Sequence, residues 1–221
     1  MKQTKYYFTL ICTFICINSI VAQDYYFKDK APFNADIPTP EAFLGYEIGE
    51  HHTRHDLIVS YLTKLAEISD RASIEIYGTT HEKRKLVMFT VTSPENLKNL
   101  EAIKSSHLQF VNPEENPENY EEVPVFIQLG YNVHGNEPSS SEAALLTAYT
   151  LVASNSVEVL NYLEKSVIFI DPTINPDGRD RHTQWVNQYQ AKTLVSDNID
   201  AEHMEAWPRG RTNHYWFDLN R

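Results

Sequence analysis

Cysteine is nearly missing from this 221-residue chain: there are two, Cys12 and Cys16, both close to the N-terminus. Once that leading segment is removed, no thiol remains for a disulfide or a thiolate metal site. His, Asp and Glu are then the only candidate metal donors. A run of Lys and Arg is also lacking. The 19 basic residues are outnumbered by 30 acidic ones, for a formal net charge of -11. Neutralising phosphates takes a basic patch, so nucleic acid is not an expected partner. Long apolar runs are scarce as well. The best candidate, Phe8 to Val21, is interrupted by Asn18 and Ser19 and is too short for a stable bilayer anchor. No internal repeat or low-complexity tract occurs.

What is present at the N-terminus suits a secretory signal peptide. Lys2 and Lys5 supply the positive end, the apolar stretch follows, and Ala22 is a small residue for cleavage. The expected product is secreted or periplasmic, with no stable membrane anchor after cleavage. The domain plan is then a signal peptide over 1–22, an extended Pro-rich lead-in over 23–52 and a folded domain over 53–221.

Leu57, Ile58, Tyr61, Leu62, Leu65 and Ile68 recur at helical spacing and predict a helix from Thr53, its cap, to Asp70. Ser73 to Tyr77 and Leu86 to Thr92 read as two antiparallel strands, with His81 to Lys85 a solvated loop between them. A second helix is expected over Ser93 to Val111, followed by an acidic loop from Asn112 to Glu122. Val123 to Leu129 reads as a central strand, Pro138 to Ala153 as a largely buried helix and Val157 to Glu164 as a short one. Ser166 to Ile170 is a continuous apolar run, as in a strand covered on both faces. This alternation predicts an α/β fold with a mixed, mostly parallel sheet sandwiched between helices.

Between the Val123 strand and the Pro138 helix lies His134-Gly135-Asn136-Glu137. A His and a Glu three residues apart at a strand's carboxyl end can converge on one divalent cation. Zinc accepts both donor types, and a catalytic zinc takes three protein ligands plus water. Spacing alone leaves open a polar turn in which Glu137 merely caps the helix. Asn175-Pro176-Asp177-Gly178 is equally compatible with a generic turn. His51, His52 and His55 read as surface polarity, His182, His203 and His214 as loop polarity, and Arg179 and Arg181 as surface residues.

Taken in order, His134-x-x-Glu137, Asn175-Pro-Asp-Gly178 and Asp218-Leu-Asn220-Arg221 resemble the zinc carboxypeptidase A-like metallopeptidases. The likeness covers roughly Val123 to Arg221. It implies Zn2+ held by His134 and Glu137, with Asp218 orienting His134 through its other ring nitrogen. It also implies that Asn220 and Arg221 hold the carboxylate of a peptide or protein C-terminus. Arg211, with Arg209 as second choice, would stabilise the oxyanion. In such enzymes the third zinc ligand and the general base follow the Asn-Arg pair, whereas this sequence ends at Arg221. The expectation is therefore an N-terminal, C-terminally incomplete portion of a metallocarboxypeptidase, inactive alone and weak in zinc binding. The rivals are a non-catalytic module that binds peptide C-termini and an amidohydrolase acting on cell-wall peptides.

Overall fold

The computed structural model describes residues 23–112, 114 and 120–221. The expected signal peptide, both cysteines and part of the acidic loop lie outside the described residues. The lead-in is less extended than its prolines suggest. It carries two short helices, α1 (Gln23–Phe27) and α2 (Pro40–Leu44). In α2 Pro40 takes the first turn, where a missing N–H costs nothing, and the Thr39 hydroxyl caps it by accepting from the Ala42 N–H.

The next helix, α3 (His55–Ile68), forms because Ile58, Tyr61, Leu62 and Leu65 fall on one face, and all four are fully buried. Thr53 does not cap it: the position before the helix is Arg54, which makes no side-chain cap bond. Thr53 is instead buried, donating its N–H to Glu142 Oε1 at 2.8 Å.

Strands β1 (Ala72–Thr79) and β2 (Lys85–Val91) form the antiparallel pair expected, with a register shift between Ile76 and Gly78. The anticipated second helix is broken at Asn99 into α4 (Pro94–Lys98) and α5 (Leu100–Phe110). After a 3-10 turn at Tyr120–Glu122 come β3 (Val125–Gly130), α6 (Pro138–Ala153), α7 (Val157–Lys165) and β4 (Ser166–Asp171). A further helix, α8 (Pro176–Tyr189), starts within the Asn-Pro-Asp-Gly stretch.

The sheet order is β1-β2-β4-β3. Only β3 and β4 run parallel, through the crossover made by α6 and α7; β1–β2 and β2–β4 are antiparallel. The sheet is therefore mixed but mostly antiparallel, not mostly parallel. Strand composition reports burial and carries no information about pairing direction, which the connections decide. β4 is buried along most of its length, as its apolar run implies. β3 is not central among the described strands: it forms an edge, with Val125 53% and Ile127 39% exposed. The core joins α3, β2, α6 and β4 through residues such as Leu62, Phe89, Leu145 and Ile170. Among the described residues no helix is long and apolar enough to cross a membrane.

Candidate metal half-site and the residues that build it

Because β3 and β4 are parallel and in register to Gly130–Asp171, their carboxyl ends emerge side by side. The loops beyond them stay zipped. Tyr131 N–H donates to the Asp171 carbonyl (2.9 Å), Ile174 N–H to that of Tyr131 (2.9 Å), and Asn175 N–H to that of Asn132 (3.1 Å). At the end of this zipper Asn175 caps α8 by accepting the Gly178 N–H at 3.0 Å, with Pro176 in the first turn. Residues that suit a turn equally suit a helix start, which is why the motif reads as a turn in the sequence.

Three glycines let three backbone segments meet beneath the site. A Cβ on Gly135 would sit 2.0 Å from the Gly178 carbonyl carbon and 2.1 Å from the Arg179 nitrogen. One on Gly178 would lie 2.3 Å from the Gly210 carbonyl oxygen, and one on Gly210 2.5 Å from that of Gly178. The His134 turn, the start of α8 and the Arg209-Gly210-Arg211 segment therefore touch backbone to backbone. The Asn175 amide adds a bond, donating to the Arg211 carbonyl at 3.1 Å.

On this junction His134 is 4% exposed. Its Nε2 lies 2.9 Å from Asp218 Oδ1 and its Nδ1 2.8 Å from Glu137 Oε1. Glu137 occupies the N-cap position of α6 but makes no cap bond, so its carboxylate is turned towards the imidazole and is not spent on the helix. In the tautomer whose Nε2–H donates to Asp218, Nδ1 offers a lone pair on the side of the Glu137 carboxylate. A proton on Nδ1, or in that tautomer a cation between the two groups, satisfies both at this 2.8 Å separation. The pair thus suits a divalent ion, for which it provides two donors. Among the described residues no group of three or more His, Cys, Asp or Glu side chains converges as a metal centre.

Asp218 serves three partners: Oδ1 meets His134 Nε2 and the Asn220 backbone N–H, and Oδ2 accepts from Arg211 Nε at 3.0 Å and Nη2 at 2.8 Å. The His134 ring N–H, then the Asn220 backbone N–H and the Arg211 guanidinium, hold its carboxyl down at about 2. Asn220 joins the cluster through that backbone bond at 3.1 Å, and the side chains of Asn220 and Arg221 are exposed. Arg209 lies outside the cluster; it has a left-handed φ of 61°, and its carbonyl accepts from Arg181. Beside Glu137 opens a groove of about 880 Å³, lined in part by His51, His52, Tyr131, Ser139 and Glu142.

Several residues assigned to the surface are not there. Arg179 is completely buried. It donates to the Thr53 carbonyl through Nε and Nη2, to the Pro138 carbonyl through Nη1, and to Glu142 Oε1 at 2.6 Å. It locks the first turns of α6 and α8 together, a role that composition cannot reveal because lone arginines usually face water. Arg181 is likewise engaged, with the carbonyls of Arg209, Thr212 and Asn213 and with Glu82. The His81 to Lys85 loop is more than solvated polarity, since Arg84 pairs with Glu82, Asp177 and Asp180. His55 is buried on the Lys85 carbonyl (2.7 Å), and His182 is buried on α8 beside Glu205 (3.4 Å).

His52 packs edge-on against His182, ring centroids 5.2 Å apart. Burial, helped by the neighbouring His182, Arg179 and His51, lowers its pKa to about 4, and burial lowers that of His55 as well. In the unfolded chain a histidine takes its proton near about 6.5. Between there and about 4 the unfolded state therefore binds more protons, and stability falls as pH falls. Urea unfolding at a series of pH values from about 7 down to about 4.5 is expected to show a declining midpoint. The decline should be shallower for His52→Gln; identical slopes would remove His52 as a cause.

Solved structures with related chain paths include thrombin activatable fibrinolysis inhibitor, at 14% identity over 80% of this chain and 38% of that one, TM-score 0.48. The carboxypeptidase A from Helicoverpa armigera is similar at 16% identity, over 80% of this chain and 37% of its own, TM-score 0.45. A metallo-carboxypeptidase from Burkholderia cenocepacia gives 15% identity over 75% of this chain and 31% of its own, with a TM-score of 0.40. This chain thus spans between 31% and 38% of the length of those three. Comparison with curated proteins gives no match. The family model described as zinc carboxypeptidase matches residues 58–221, most of the sequence. The chain therefore belongs to the zinc carboxypeptidase family.

Proposed function

We propose that this chain supplies two zinc ligands and part of the substrate clamp of a secreted or periplasmic metallocarboxypeptidase acting on peptide C-termini. One observation carries the reading. His134 Nδ1 and Glu137 Oε1 face each other at 2.8 Å while Asp218 holds the other ring nitrogen at 2.9 Å. That is the arrangement a zinc-bound imidazole needs, its tautomer and orientation set from behind by a carboxylate.

A zinc ion held there would polarise a scissile carbonyl and acidify bound water. Part of the surrounding machinery comes from this chain. Asp218 keeps the Nδ1 lone pair directed at Glu137. Arg211, whose side chain is 40% exposed, leans on Asp218 from the other side, one carboxylate away from the imidazole. A guanidinium so placed suits the negative charge that builds on a carbonyl oxygen under attack. Asn220 and Arg221, on the exposed stretch just past Asp218, suit a terminal carboxylate, which Arg can grip with two parallel N–H donors. Two protein donors are fewer than a catalytic zinc takes, so metal binding is the activity to test on the chain as it stands.

Isothermal titration of zinc into metal-stripped protein is expected to show one equivalent bound weakly. His134→Ala and Glu137→Ala should each lose at least about tenfold in affinity, since each removes one of two donors. Equal affinity in the parent protein and His134→Ala would place any bound zinc elsewhere and sink the proposal.

A further inference from the structure

The ligand pair sits on a turn that something must hold in shape, and the residue doing so is Asn132. It is 1% exposed and adopts a left-handed φ of 54°. Asparagine tolerates that conformation better than other side-chain-bearing residues. Its Nδ2 donates to the carbonyl of His134 at 3.0 Å and to the carbonyl of Glu137 at 3.1 Å. One planar amide thus grips the backbones of both proposed ligands at once. Its own N–H donates to Ser140 Oγ at 2.7 Å, and its carbonyl accepts from Asn175 at 3.1 Å, so the bracket is anchored to both α6 and the start of α8. Its Oδ1 is buried without a partner, which marks the two N–H donors as the useful end of the side chain.

We infer that Asn132 is a positioning residue for metal binding, a rigid bracket that fixes the spacing of His134 and Glu137. This rests on the reading of that pair as zinc ligands. Neither spacing nor charge distinguishes Asn132 in the sequence; only the fold brings its amide under both carbonyls. Groups that orient metal ligands without touching the ion typically set affinity by about 10- to 100-fold. An asparagine locked by four bonds around one turn fits that role.

Asn132→Gly is the informative substitution because glycine accepts the left-handed backbone yet has no amide. Asn132→Ala alongside it separates the two effects, since what both variants share comes from the lost donors. Zinc affinity is read on folded, metal-stripped full chain by competition with a chromophoric chelator. In parallel, hydrogen exchange is followed at the Glu137 amide, which bonds the His134 carbonyl at 3.1 Å. Asn132→Gly is expected to keep its cooperative melting in chelator, to bind zinc about 10- to 100-fold more weakly, and to exchange the Glu137 amide faster while β4 amides stay protected. Unchanged zinc affinity, or a Glu137 amide no less protected than in the parent, overturns the inference. His134→Ala measured in the same series tests the underlying assignment. If it binds zinc as the parent does, the ligand reading fails; if it loses zinc while Asn132→Gly does not, only the bracket fails.

Discussion

Arg179→Met is expected to lower stability by about 3–5 kcal/mol, the cost of stranding a buried charge, and the melting temperature by roughly 10 °C. The cause is where Arg179 sits. Its guanidinium is wholly buried, and its partner Glu142 is 5% exposed. Removing the cation leaves Glu142 with one oxygen on the Thr53 N–H and the other already unpartnered, inside the protein with no countercharge. The carbonyls of Thr53 and Pro138 lose their donors in the same step. The double replacement Arg179→Met with Glu142→Leu should recover much of the loss, because exchanging a whole buried ion pair for apolar groups is often neutral or better. Chemical denaturation of the two singles and the double gives the interaction directly. A single Arg179→Met that costs less than about 1 kcal/mol would show that the pair is not desolvated as described.

Gly135→Ala is expected to be comparably severe, at about 3 kcal/mol or more, near or beyond the upper end of ordinary overpacking. The added methyl would stand 2.0 Å from the carbonyl carbon of Gly178 and 2.1 Å from the nitrogen of Arg179. Those are backbone atoms at the start of a helix and cannot rotate away as a side-chain tip would. The turn and α8 must separate, which also pulls His134 from Asp218. Zinc affinity and stability should therefore fall together. Gly78→Ala is the control: its Cβ would meet Leu86 Cδ1 at 3.4 Å, an ordinary contact, and little change is expected. Parent-like melting of Gly135→Ala would show that the three segments are not in the contact described.

Local elements were largely legible in the chain because local rules made them. The apolar stripe of α3, the Pro138 start of α6 and the unbroken apolar run of β4 each reflect one element's own periodicity. The direction of the sheet was not legible, since alternation says which face is buried but not which neighbour a strand takes. α8 is hidden in the sequence because Asn-Pro at a helix start and Asn-Pro in a turn are the same letters. At the site, His134 and Glu137 stand out by spacing, whereas Asp218, 84 residues away from His134, could be attached only through its likeness to a family pattern. Arg179, Asn132 and the three glycines carry no periodic signal. Their roles exist only where distant segments cross.

The stretch between α8 and Ala201 has almost no regular structure, and Leu194 and Ile199 are 84% and 74% exposed. The residues beyond it are held by other means: Trp185 Nε1 on the Ala201 carbonyl, Arg181 and Asn175 on the carbonyls from Arg209 to Asn213, and Asp218 on His134. The docked arrangement is thus expected to outlast cleavage of that stretch. A nick there would leave Ala201 to Arg221 seated as a separate peptide, and the carboxylate behind His134 could be supplied in trans by a synthetic piece carrying Asp218.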